Sequence, residues 1–229
     1  MLITDLIPKG KRQSIVCLDG TPAGFLDNRD ISAYRLEAGG EVNEVTWAKI
    51  VEETILPRGK RKALELLQLQ DRTTKELHDK LVSGDYTEEQ TREIIAYVAS
   101  FRYIDERRYA VNWFRSHAKN KSFREMQQTL LMRGVEQETI TAAYEQFCSE
   151  FSNENGSGEA ADPSGEDASG DTAEVLAVRR FVSRRVKGTE MTADERRKVY
   201  AGLARKGFSQ DAIRKVLSGY QTVGPEDSE

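Results

Sequence analysis

The chain has 229 residues, 38% apolar and 31% charged, with a formal net charge of −4 and a mean hydropathy of −0.62. That length holds one large domain or several small ones, and the modest apolar content points to small, repeated cores in a soluble protein. No apolar run reaches membrane-spanning length, and the start, MLITDLIPKGK, lacks the apolar core and cleavage site of a signal peptide; no membrane association and a cytoplasmic location are expected.

Residues 1–40 read as a β segment. LITDLIP and QSIVCLD alternate loosely around PKGKR, and DGTPAGF supplies turn chemistry before a third short strand. From there the pattern is helical. Helices are expected over 43–56 and 58–70 with a break at Pro57, so that 41–57 forms a connecting helix ahead of a first module, 58–101. In that module ALELLQL (63–69) offers an apolar face, and TTKE (73–76) is a capping box in which a hydroxyl and a Glu three residues on satisfy each other's backbone donors.

The signals then repeat. SFRE (122–125) forms the same box 49 residues later, and the apolar pairs Leu81-Val82 and Leu130-Leu131 keep that spacing. Each pair is followed by a bulky apolar residue, Tyr86 or Val135, and then by a helix whose inner face carries Ile94, Ile95 and Val98, or Ile140, Ala143, Tyr144 and Phe147. This second module spans 102–151, with Asp105 as the expected N-cap of its first helix. A third copy follows: GLARKGFSQDAIRKVL (202–217) aligns without a gap on TLLMRGVEQETITAAY (129–144), with a further box at TADE (192–195). Gly134 and Gly207 fall where a helix ends in the left-handed region; Asp85 holds that place in the first copy, with Gly84 one before it, and a slightly different corner is expected there.

The third module, 174–220, lies 73 rather than 49 residues beyond the second. The surplus matches residues 152–174, which hold seven acidic and no basic side chains. Such a composition buries no core, so 152–173 is read as a disordered acidic linker, spanning about 27 Å as a flexible coil. Residues 221–229 form an acidic tail. The fold expected is mainly α: three tandem three-helix, helix-turn-helix-like modules in an elongated array behind a small N-terminal β segment.

The charge is partitioned. Residues 1–57 hold 6 basic and 9 acidic residues, whereas 175–219 hold 12 and 4, net +8. No Asp or Glu occurs from 107 to 124, so Arg115, Lys119, Lys121 and Arg124 form one candidate anion-binding group. The third module supplies Arg179, Arg180, Arg184, Arg185 and Lys187, then Arg196, Arg197, Lys198, Arg205 and Lys206. Residues 180, 184 and 187 share a helical stripe, and a +8 segment of 45 residues is a nucleic-acid or phosphate footprint. Arg in particular suits bidentate contact with phosphate or carboxylate. The aromatics Tyr103, Tyr109, Trp113, Phe114 and Phe123 surround the first group; base stacking is open to them, but the i, i+4 spacing of Tyr109 and Trp113 reads as core, and none is taken as a base-stacking residue. A −7 linker beside a +8 module is placed to compete with DNA.

Catalytic motifs are missing: the chain has neither a phosphate-binding glycine loop nor a nucleophile elbow. His78 and His117 lack metal-ligand spacing, Cys17 and Cys148 read as reduced thiols, and Glu88-Glu89 and Asp194-Glu195 sit at helix starts as dipole partners. No enzyme activity, cofactor or metal is expected.

The three modules, the opening RYIDERRYAVNWFRS of the second and the glycine corners resemble the RecX family of bacterial recombination regulators. The resemblance covers about 58–219; the missing corner glycine of the first module and the acidic insertion depart from the family pattern. It implies a protein that binds the RecA recombinase filament on single-stranded DNA, lies along the filament's helical groove, and restrains strand exchange and ATP hydrolysis; a monomer with double-stranded DNA as a further partner is expected. The residues alone leave two alternatives: a nucleic-acid-binding helical array acting independently of RecA, and a helical scaffold that binds only protein.

Overall fold

The computed structural model describes residues 1–156, 172–186 and 188–223. The chain divides into two compact units, Met1–Asp105 and Glu106–Glu229. In the first, β1 (Ile3–Lys9), β2 (Gln13–Leu18) and β3 (Thr21–Asp27) form an antiparallel meander in the order β1-β2-β3. Asp19 and Gly20, at φ 48° and 83°, make the tight β2–β3 turn. A short α1 (Asn28–Ala33) follows, then α2 (Glu44–Ile50), capped by Asn43, whose side chain accepts from the Thr46 N–H.

The break expected at Pro57 is absent. Helical backbone runs from Glu44 to Leu69, and the irregularity is a π-helical turn at Val51–Ile55 that leads directly into α3 (Leu56–Leu69). Proline has no N–H and its ring crowds the carbonyl one turn back, so the helix widens upstream instead of stopping. Then come α4 (Thr74–Val82) and α5 (Glu88–Ser100), each opened by a complete capping box, Thr73 with Glu76 and Thr87 with Gln90. The Gln90 amide also donates to the Ala23 carbonyl at 2.8 Å, tying the start of α5 to β3. Ile3, Val16, Leu26, Ile50, Ile55, Leu77, Leu81 and Ile94 belong to one buried cluster, so sheet and helices of this unit share a core.

The second unit contains α6 (Glu106–His117), α7 (Phe123–Met132), α8 (Gln137–Gly156), α9 (Ala173–Ser183), β4 (Glu190–Thr192), α10 (Ala193–Arg205), α11 (Gln210–Leu217) and β5 (Gln221–Val223). Two buried clusters lie within it. One gathers Phe114, Met126, Leu130 and Ile140 from α6–α8, the other Val178, Val182, Leu203 and Ile213 from α9–α11. The acidic linker and tail read from the sequence are narrower than expected: α8 extends to Gly156, Thr172 caps α9, and 221–223 pairs in parallel with β4. The remaining linker residues, 157–171, and the end of the tail, 224–229, lie outside the described residues.

The repeated corner is one structure built three times. The N–H groups of Tyr86, Val135 and Phe208 donate to the carbonyls of Leu81, Leu130 and Leu203 at 3.3, 3.1 and 3.2 Å. The preceding residues, Asp85, Gly134 and Gly207, donate to Val82, Leu131 and Ala204 from φ values of 67°, 86° and 82°. This pair of bonds closes the open carbonyls of a helix end and requires one left-handed residue. Asp85 accepts that conformation and makes the same two bonds, so the slightly different corner expected from the missing glycine does not occur, and its carboxylate pairs with Lys9. The leucine of each corner is buried at 1, 0 and 0% exposure.

Candidate nucleic-acid interface

The acid-free run from 107 to 124 does not stay unpaired once folded. Arg115, in the last turn of α6, forms an ion pair with Glu150 of α8 at 2.6 Å. Lys121 pairs with Glu125 at 3.3 Å. The Glu150 carboxyl is held below its ordinary value by hydrogen bonds from Gln146 and from Arg115. Acid for this group therefore comes from residues C-terminal to the run, which the local count could not show. Lys119 and Arg124 remain exposed.

Arg124 is joined to the third module by packing. The Ser122 hydroxyl caps α7 by accepting from the Glu125 N–H at 3.2 Å, and it donates to the Lys206 carbonyl at 2.6 Å. A carbon added at Gly207 would lie 3.0 Å from both Cβ and Cδ of Arg124. The start of α7 is thus seated on the α10–α11 corner, bringing Arg124 beside Lys206. Phe181 of α9 carries further cations: the Arg185 guanidinium lies 4.1 Å from its ring centroid and the Lys206 ammonium 5.8 Å.

The stripe expected over residues 180, 184 and 187 is shorter than read. Helix α9 ends at Ser183 with Arg184 as its C-cap, and Lys187 lies outside the described residues. Arg179, Arg180 and Arg184 are exposed. A second group gathers around a cavity of about 600 Å³ between α10, α11 and β5, lined by Arg196, Arg197, Tyr200, Arg214, Leu217 and Thr222 among others. Among the described residues, no carboxylate belongs to its lining. Arg196 is fixed there by donating to the Tyr220 carbonyl at 3.4 Å and to the Thr222 hydroxyl at 3.1 Å. Arg197 has only a loose contact with Asp194, at 4.0 Å. Lys198 and Arg205 are exposed, the Arg205 Nε donating to the Ala201 carbonyl at 3.3 Å. Arg214 escaped the sequence reading, since α11 offers no local reason to associate it with Arg197; the helix pairing alone brings them to one cavity. Three guanidiniums around an aromatic and an aliphatic side chain suit a phosphate or carboxylate group attached to a flat or apolar body.

The aromatics around the first basic group divide. Tyr109 and Phe114 are buried, and Trp113 stacks on His117 at 3.8 Å with the Arg133 guanidinium 4.1 Å from its ring centroid. Phe123 packs against Tyr144 at 4.1 Å. Tyr103 instead is 51% exposed, beside the equally accessible Phe101. Among the described residues no group of three or more His, Cys, Asp or Glu could hold a metal ion, Cys17 and Cys148 are unbridged, and no helix is long and apolar enough to cross a membrane.

Comparison with known proteins places this arrangement. The model of the first three-helix domain of RecX matches residues 60–97, and that of the third matches 171–217. The regulatory protein RecX of Levilactobacillus brevis is 25% identical over all of this chain and 80% of its own length. That of Bacillus subtilis is 24% identical over 93% of this chain and 74% of its own. A crystal structure of a regulatory protein RecX shares the fold with a TM-score of 0.57 at 21% identity, covering 95% of this chain and 98% of the other. Two domain models at either end of the helical region, similarity along the whole length and a common fold agree, and the chain belongs to the RecX family.

Proposed function

We propose that this chain regulates homologous recombination by binding the RecA filament on single-stranded DNA and inhibiting strand exchange and ATP hydrolysis, with no catalysis of its own. It acts as a monomer in the cytoplasm. The observation that carries the reading is the third module's cationic surface, where Arg196, Arg197 and Arg214 converge on a cavity with no carboxylate among the described residues of its lining. Such a surface fits phosphates of the bound strand or acidic side chains of the filament, and family membership supplies the expectation that the partner is RecA. The middle module's contribution is Arg124 and Lys119; Arg115 and Lys121 already hold internal partners.

The test is RecA's DNA-dependent ATPase, titrated with the parent chain and with a variant carrying Arg180→Glu, Arg184→Glu, Arg197→Glu and Arg214→Glu. All four side chains are exposed, so the far-ultraviolet circular dichroism spectrum should match the parent's. The parent should inhibit at less than one molecule per RecA protomer, and the variant should need at least a tenfold higher concentration. Tight DNA binding by the parent with no effect on the ATPase would favour a nucleic-acid-binding array that acts independently of RecA. Equal inhibition by parent and variant would remove the third module from the interface.

A further inference from the structure

A third cationic surface lies where the sequence is acidic. The tip of the β1–β2 hairpin and the start of α1 enclose an open cavity of about 730 Å³ lined by Lys9, Lys11, Arg12, Gln13, Asn28 and Arg29, with Asp27 the one acid among the described residues of its lining. The hairpin tip is held to α1 by the Asn28 N–H, which donates to the Arg12 carbonyl at 2.8 Å. The acids nearby are already occupied. Both Asp27 and Asp30 place a carboxylate oxygen 2.8 Å from the Arg58 guanidinium, and the other Asp27 oxygen accepts from Gln13 at 3.0 Å. Asp85 is taken by Lys9. Lys11, Arg12 and Arg29 are exposed and have no ion pair among the described residues. Asn28 accepts from Ser14 through Oδ1 and keeps its amide nitrogen as a donor.

We propose that this hairpin–α1 surface is a phosphate-binding site that engages the sugar–phosphate backbone of nucleic acid. The chemistry selects the backbone over the bases: Arg, Lys and Asn side chains are the groups that contact phosphate oxygens, and among the described residues no aromatic side chain lines the cavity to stack on a base. Binding here is sequence-independent and depends on salt through counterion release. It needs no RecA, so the site gives the first unit its own hold on a nucleic-acid strand.

The experiment uses the full chain and labelled oligonucleotides, single-stranded and duplex, titrated over a series of salt concentrations. Lys11→Glu, Arg12→Glu and Arg29→Glu are combined in one variant, with a Lys11→Gln, Arg12→Gln, Arg29→Gln variant as the milder form, read in its place if the first loses its native melting transition. Loss of three contacts should flatten the slope of log K against log salt by about 2 on single strands or about 3 on duplex; the substrate showing the change identifies the strand form held. A parent that binds neither oligonucleotide, or variants that keep the parent's slope on both, overturns the proposal. Binding lost only to vesicles of phosphatidylserine in phosphatidylcholine, with oligonucleotide binding intact, overturns it as well. A flattened slope beside a parent that leaves RecA's ATPase untouched upholds this site and rejects the RecA reading.

Discussion

His78 shows how a single side chain reports on its helix ends. It projects from α4 and bonds through Nε2 to Glu88, in the first turn of α5, at 2.8 Å. That hydrogen bond is the largest influence on the imidazole, raising its pKa above the ordinary value of 6.5, with the Asp79 carboxylate adding to it. A folded-state pKa above the unfolded one means the imidazolium stabilises the fold. The contribution is fully present below about pH 6.5 and is lost as pH rises through the raised folded value. Replacing His78→Gln should therefore lower the melting temperature at pH 5.5 and leave it nearly unchanged at pH 9; thermal scans at both values check this, and an equal loss at both would assign the effect to packing. Asp85 illustrates the opposite case, a residue whose role comes from backbone geometry: it takes the left-handed position that glycine fills at the other two corners.

Helix-to-helix contact sets the next level. Gly59 in α3 reads from sequence as a helix-weakening residue, since glycine costs about 1 kcal/mol relative to alanine in a helix interior. In the fold it is buried, and an added Cβ would lie 2.3 Å from Ile94 Cδ1 and 2.9 Å from Tyr86 Cε1, so α3 meets α5 and its corner with no room for a methyl group. Overpacking costs about 1–3 kcal/mol, which outweighs the propensity gain. Gly59→Ala should lower stability in urea unfolding, and a gain in stability would show that α5 yields freely. The elements most legible in the sequence were those with local chemistry. The three strands, the boxes at Thr73 and Thr192 and the three corners rest on residues a few positions apart. What escaped notice depends on pairs distant in sequence: Glu150 opposite Arg115, Gln90 bound to the Ala23 carbonyl, Arg214 facing the cavity of Arg196 and Arg197, and Arg58 occupying the acids that would otherwise offset Lys11, Arg12 and Arg29. Segment charge is equally blind in both directions, because net charge ignores which acids have partners. The π-helical turn was hidden for another reason: proline reads as a stop, whereas a helix already anchored by Ile50 and Ile55 accommodates it by widening.

At the level of the molecule, the buried side chains of the second unit form two clusters, one for α6–α8 and one for α9–α11. Each is small, so each three-helix module can open locally while the rest stays folded. Leu203 is fully buried at the third corner, and Leu203→Ala should cost about 2–5 kcal/mol. Hydrogen exchange on that variant should show protection lost mainly between residues 174 and 220. Uniform loss along the chain would mean one cooperative core and would end the modular view.

The Ser122 hydroxyl that joins α7 to the Lys206 carbonyl has a consequence for how this chain tolerates change. One group closes the start of one helix and the end of another, 84 positions away. Together with Arg124 lying on Gly207, it orients the second and third modules by direct contact. The covalent connection between α8 and α9 then has only to reach from one end to the other, and closure entropy grows slowly with its length. Connectivity and orientation are uncoupled, so insertions and deletions can accumulate in that connection as neutral drift while the basic surface on either side keeps its geometry.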